Sequence, residues 1–364
     1  MHSTSRARWR GGRAKPLVGA LIAVAAVVMA FAQSALGAPV GHYSQRNLVA
    51  DRPGRAELTD PDLVNAWGLA FGPAGPQATP AWVANNGSDN ATLYMGAQPG
   101  TPVTKVPLTV SIPGGAPTGA VFNGTTKFVI NSAPARFIFA SEAGRITAWN
   151  QSVSPITRAV TVAKVHDAIF KGLAINDNRI YATDFHKNKV DVWNGKFQRV
   201  RKPGAFTDPN LPQHYAPFGI DVVKGDIVVT YARQDKDAED DVAGPGHGFV
   251  DVYTPKGKLL RRFASRGPLN SPWGVARAPA HGFGPVSGRL LVGNFGNGKI
   301  NVFKWKNGEF LGRLGRSQGK PVRIDGLWAL EFGNGVIGTP RTLLFTAGPH
   351  DESHGLFGEL TAGG

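Results

Sequence analysis

Residues 170–200 read FKGLAINDNRIYATDFHKNKVDVWNGKFQRV. Four short apolar segments are embedded in this stretch: FKGLAIN, RIYATDF, NKVDVWN and FQRV. Alternating apolar runs bounded by Asn, Asp and Gly are strands, and Asn194-Gly195 is a tight hairpin turn. The stretch therefore reads as one four-stranded antiparallel unit.

The unit repeats. An apolar strand with an internal glycine recurs as NAWGLAF at Gly68, PTGAVFN at Gly119, FKGLAIN at Gly172, APFGIDVV at Gly219, SPWGVAR at Gly274 and IDGLWALEF at Gly326, in steps of 51, 53, 47, 55 and 52 residues. A second strand follows each one, from AWVANN at Ala81 to TLLFTAG at Thr342, and a third follows that, as in GRITAWN at Gly144 and GLFGEL at Gly355. Turns at Pro255-Lys256-Gly257 and Asn307-Gly308 lead into fourth strands. Six such units predict an all-β fold, a six-bladed β-propeller with four antiparallel strands per blade, as a single domain over residues 38–364. The spacing is too long for the ~40–45-residue WD40 repeat, despite Asp191-Val192-Trp193. The glycines have a physical reason: six inner strands converge on one axis, where a side chain would crowd the neighbouring strand. The sixth unit runs out after three strands, near Leu360, while a spare strand, HYSQRNLVAD, precedes the first unit. The N-terminal strand at about 43–50 is therefore expected to complete the last blade and remove an exposed edge.

Composition supports this. The 364 residues include 47 Gly and 27 Pro, which many tight turns require, and no Cys, which excludes disulfides, thiolate metal sites and a thiol nucleophile. With 42% hydrophobic and 18% charged residues the chain is not a disordered one. Arg6, Arg8, Arg10, Arg13 and Lys15 precede an uncharged apolar run at 17–32, and Ala35-Leu36-Gly37 offers small residues before Ala38. That order is a secretory signal, expected over residues 1–37, with an uncleaved membrane anchor as the alternative; the 16-residue run is short of the ~20 a spanning helix needs. A periplasmic or extracellular location follows as an expectation. The formal charge of +15 falls to about +10 once the leader is gone, and a basic exported protein is drawn to anionic envelope polymers or lipid surfaces. The basic residues are dispersed, so no nucleic acid partner is expected. No later apolar run reaches 18 residues, so no transmembrane segment is expected in the mature protein, which is read as a monomer.

The inner-strand sequences GLAI and GIDVV and the third-strand sequence NGKINVF resemble NHL-type propellers. The landmarks Asn47-Leu48-Val49-Ala50-Asp51, Asn65-Ala66-Trp67-Gly68, the segments from Tyr231 to Asp235 and Gly248 to Val252, and the ending Phe345 to Gly348 with Gly355 to Gly358 resemble a group of secreted bacterial NHL-like propellers of undefined function. The resemblance covers roughly residues 43–360. It implies the fold and brings no activity with it. Other six-bladed propellers include metal-dependent lactonases, a lyase acting on a cyclic antibiotic, and sugar-binding or scaffold proteins, among which fold alone does not choose.

In a propeller, the loops between second and third strands share one face with the approaches to the inner strands. That face is the expected site. The candidate ligand-binding residues there are Asn65 and Trp67; Asn85 and Asn86; Asp184 and His186; Arg233; Trp273; Asn294; Asp325 and Trp328; and His350, Glu352 and His354. Rings suit the apolar faces of a sugar, and amides and acids suit its hydroxyls. The same Asn and Asp residues also serve as turn formers. The loop ARQDKDAEDDVAGPGHG carries Asp235, Asp237, Asp240 and Asp241, a density of carboxylates that calcium would answer. It is not an EF-hand, since Asp240 stands where that loop needs Gly and Gly246 where it needs Glu. Basic neighbours or plain solvation are the alternatives. His350-Asp351-Glu352-Ser353-His354 is a loop, not a helical zinc motif. No nucleophile elbow, phosphate loop or dinucleotide fingerprint is present. Two readings follow. One is a binding or scaffold protein recognising a glycan, an anionic envelope polymer or a protein ligand. The other is a metal-assisted hydrolase or lyase acting on a lactone, ester or cyclic compound, with His186, His350 or His354 moving protons.

Overall fold

The computed structural model describes residues 37–363; positions 1–36 of the predicted leader lie outside them. From Ala66 onward six antiparallel sheets follow one another, each built in chain order from the axis outward. The inner strands are Ala66–Ala70, Pro117–Phe122, Phe170–Asn176, Tyr215–Val223, Pro272–Arg277 and Leu327–Phe332. Each lies beside the next, and the sixth returns to the first. The chain is thus the six-bladed propeller that the repeats predict. No α-helix occurs among the described residues, and no helix there is long and apolar enough to cross a membrane.

The ring closes through the N-terminal strand. Blade six contributes Leu327–Phe332, Leu343–Ala347 and Leu356–Ala362, and Tyr43–Ala50 pairs antiparallel with the last of these, Tyr43 opposite Ala362 and Ala50 opposite Leu356. One feature goes beyond the sequence reading. Pro39–Val40 runs parallel to the outer strand of blade five, Phe310–Leu314, so one N-terminal segment clasps two blades.

Five of the six glycines behave as expected. A Cβ on Gly219 would lie 2.1 Å from the Trp273 carbonyl oxygen of the next blade, and one on Gly68 would lie 2.2 Å from Thr118 O. The sixth repeat is corrected by three residues. Gly326 sits before its strand with φ +63°, a turn position. Ala329 holds the ring position: Gly274 faces Trp328 O and the Leu330 amide, as Gly68 faces the residues on either side of Gly119.

Buried hydroxyls tie neighbouring blades. Thr118 Oγ1 donates to Phe170 O at 2.7 Å, Thr183 Oγ1 to Phe218 O at 2.7 Å, and Thr230 Oγ1 to Pro272 O at 2.6 Å. Across the closing junction, Thr346 Oγ1 donates to Trp67 O at 2.5 Å. Thr230 Oγ1 also accepts from the Gly219 amide at 2.8 Å. Thr230→Val keeps the shape and leaves both backbone groups unpaired, so denaturant unfolding should show a loss of about 2 kcal/mol. The same change at exposed Thr161 should cost less than about 0.5 kcal/mol.

Candidate functional site

Of the residues that precede the ring positions, Trp67, Lys171, Phe218, Trp273 and Trp328 gather at the axis. Three of these are tryptophans, and they fill the channel. Trp67 stacks on Trp328 with centroids 3.7 Å apart, and Trp328 stacks on Phe295 at 3.9 Å. Trp273 stands edge-on to Trp67 and Trp328, and Phe218 and Phe185 complete the cluster. Each such ring pair adds about 0.5–1.5 kcal/mol beyond burial.

Above this stack sits a charge that sequence reading missed. The Lys171 side chain is only 3% exposed. Its Nζ donates to Glu142 Oε1 of blade two at 2.5 Å and to Asp240 Oδ1 of blade four at 2.9 Å. It also lies 5.5 Å from the centroid of the Trp67 ring. Burial opposes the ammonium, but the two carboxylates outweigh it and raise its pKa. Lys171 thus ties blades two, three and four at the axis. Its backbone carbonyl accepts from Trp273 Nε1 at 2.9 Å, which adds blade five.

Blades one and six complete the cluster. Asn65 Nδ2 donates to Glu352 Oε2 at 2.6 Å and to Asn86 Oδ1 at 3.2 Å, while Asn65 Oδ1 accepts from Trp328 Nε1 at 3.0 Å. Asn86 Nδ2 donates onward to Glu142 Oε2 at 3.0 Å. Glu352 arrives on an unusual turn: His350, Asp351 and Glu352 have φ of +56°, +52° and +64°. Consecutive non-glycine residues in that region are strained, and such strain gathers at functional sites. Burial pushes the Glu352 carboxyl up to about 7, and burial pushes Asp241 up to about 6. Asp241 Oδ2 and Trp67 Nε1 are buried without a hydrogen-bond partner.

The other expected site residues fall elsewhere. Asn85 and Asn294 are fully buried and staple their own loops: Asn85 Nδ2 donates to Asn90 Oδ1 and Thr92 Oγ1, and Asn294 Nδ2 donates to Pro268 O and Asn297 Oδ1. Asp184 is buried and accepts the Lys187 amide at 3.1 Å, a turn role, and burial raises its pKa. His186 contacts Ala238 O at 3.2 Å, which brings blade three against the long loop. Arg233 and His350 are exposed, and exposed Asp325 accepts the His350 amide at 3.0 Å. His354 leaves the axis to meet Asp51 at 2.8 Å and Arg52 at 3.0 Å.

The four loop aspartates act singly. Asp235 accepts the Glu239 amide, Asp237 lies exposed beside Lys236, Asp240 goes to Lys171, and Asp241 is buried. Among the described residues no three His, Asp or Glu side chains gather as a cation would require. The point where acids from different blades do meet holds the protein's own ammonium.

No family model matches this chain. Two uncharacterized proteins of Acanthamoeba polyphaga mimivirus are each 32% identical to it, one over 86% of this chain and 78% of its own length, the other over 80% and 79%. Among solved structures, a glucose dehydrogenase is 12% identical with TM-score 0.53, covering 88% of this chain and 99% of its own. A streptogramin B lyase is 9% identical with TM-score 0.50, covering 88% and 98%. At these identities the two structures speak to the propeller fold alone.

The raised carboxyls set a pH dependence. Glu352 and Asp241 hold protons in the folded chain up to about pH 7 and 6, but only to about pH 4 when unfolded. The folded state binds more protons across that window, so stability is greatest below it and falls as pH rises through it. The melting temperature should drop from about pH 5.5 to about pH 8, and Glu352→Gln should flatten the drop. An unchanged slope in the variant counts against this assignment.

Proposed function

The chain belongs to one family with these mimivirus proteins, and we propose that it is an exported binding propeller that recognises a polyhydroxylated ligand, a glycan or envelope polymer, on its upper face. One observation carries this reading. Recognition groups from five blades (Asn65 and Asn86, Glu142, Lys171, Asp240, and Glu352) converge over a channel sealed by stacked rings. Amides and carboxylates of this kind bracket hydroxyls. The basic charge favours polymers that also carry anions.

A second reading has its own observation. A half-buried carboxyl titrating near 7, delivered on a strained turn, is suited to general acid–base work. Under this reading Glu352 acts as the acid or base of a hydrolase or lyase on a lactone, ester or cyclic compound, with Lys171 in place of a metal as the electrostatic partner.

Binding of the purified protein to a panel of glycans and cell-envelope polysaccharides tests the first reading. At least one should bind saturably, and Asn86→Ala should weaken it about tenfold, the worth of one good polar contact. Turnover of lactone or ester substrates that Glu352→Gln abolishes, with no carbohydrate bound, favours the second reading and overturns the first.

A further inference from the structure

The lower half of the channel, below the ring glycines, contains a cavity of about 610 Å³. That is the size of a small-molecule site, and its position separates it from the upper face. Trp273, part of the aromatic stack, forms its roof. The walls come from the three residues after each ring position. The first tier is wholly apolar: Leu69, Ala120, Leu173, Ile220, Val275 and Leu330. The second is Ala or Val in four blades, but Asp221 in blade four and Glu331 in blade six. The third adds Phe122 and Phe332, with exposed Arg277 of blade five.

The two acids are costly as they stand. Both lie deep in the protein while keeping partial access to the cavity. Asp221 accepts only the amide of its neighbour Val222, at 2.7 Å. Burial pushes its carboxyl up to about 7. Burial, and then the charge of Asp221, push Glu331 well above the usual carboxyl range. Arg277 lowers neither of them. A chamber with an apolar first tier and two unpaired carboxyls on the next is complementary to a guest with one cation and an apolar body.

We propose that this cavity binds a small primary amine, its ammonium held by Asp221 and Glu331 and its hydrocarbon body packed against the Leu, Ile and Phe walls. The site is independent of ligand binding on the upper face.

Calorimetric titration of the purified protein at about pH 8 with octylamine, octanol and octanoate tests this, since the three share a chain length and differ in head group. Octylamine should bind saturably at one per chain, at least about tenfold tighter than octanol, and octanoate should not bind. Asp221→Asn with Glu331→Gln should reduce octylamine to the level of octanol while leaving octanol unchanged. Ala276→Leu, which fills the second tier without touching charge, should block both and so reports on the cavity even if the double variant fails to fold. Glu352→Gln, on the upper face, should leave octylamine binding intact. Equal binding of octanol and octylamine, an amine preference that survives loss of both acids, or no saturable binding of octylamine overturns the proposal.

Discussion

Six sheets must meet around one axis, and in this chain they do so without a covalent clasp. With no cysteine, closure rests on hydrogen bonds and packing. Tyr43–Ala50 completes blade six, Pro39–Val40 holds the edge of blade five, and Thr346 reaches across the junction to the first inner strand. The same convergence excludes a Cβ at Gly68 and Gly219, where the next blade's backbone stands about two ångströms away. That constriction divides the channel. Above it, bulky residues fill the axis and become a floor. Below it, smaller side chains leave the space open.

Each half of the channel then meets a different electrostatic problem. In the upper half, acids on loops from blades two and four face inward, and Lys171 rises from an inner strand to answer them. Its ammonium is desolvated, and two carboxylates with one aromatic face compensate. In the lower half, Asp221 and Glu331 have no such answer from the protein. A charge satisfied internally organises a surface. The unpaired carboxyls beside the cavity are the groups on which the proposed guest rests.

The architecture was legible because it is periodic. The strand pattern returns about every 52 residues, and the spare N-terminal strand matches the missing outer one. The errors arose where one local pattern serves two purposes. Gly326 resembles the ring glycines, yet it is a turn glycine three residues early, and an alanine does the ring's work. Asn85, Asp184 and Asn294 carry ligand-like groups, but turn chemistry uses the same groups and has claimed them. Asn65, Asn86 and Glu352 were read from the loops and do come together. Lys171 was invisible as a site residue. In FKGLAIN it is one lysine in an apolar strand, and its partners lie 29 residues before it and 69 after it. Asp221 and Glu331 likewise pass for outward positions of alternating strands until the ring places them on one tier.

The account of the upper face turns on Lys171 acting as the cation that joins the blades at the axis. A double-mutant cycle of Lys171→Met and Glu142→Gln, followed by denaturant unfolding, isolates that interaction from the packing around it. The account predicts that each single change destabilises the protein and that the pair is coupled by about 1–3 kcal/mol, as for a charge-assisted hydrogen bond largely shielded from water. Additive effects, with coupling below about 0.5 kcal/mol, would contradict it.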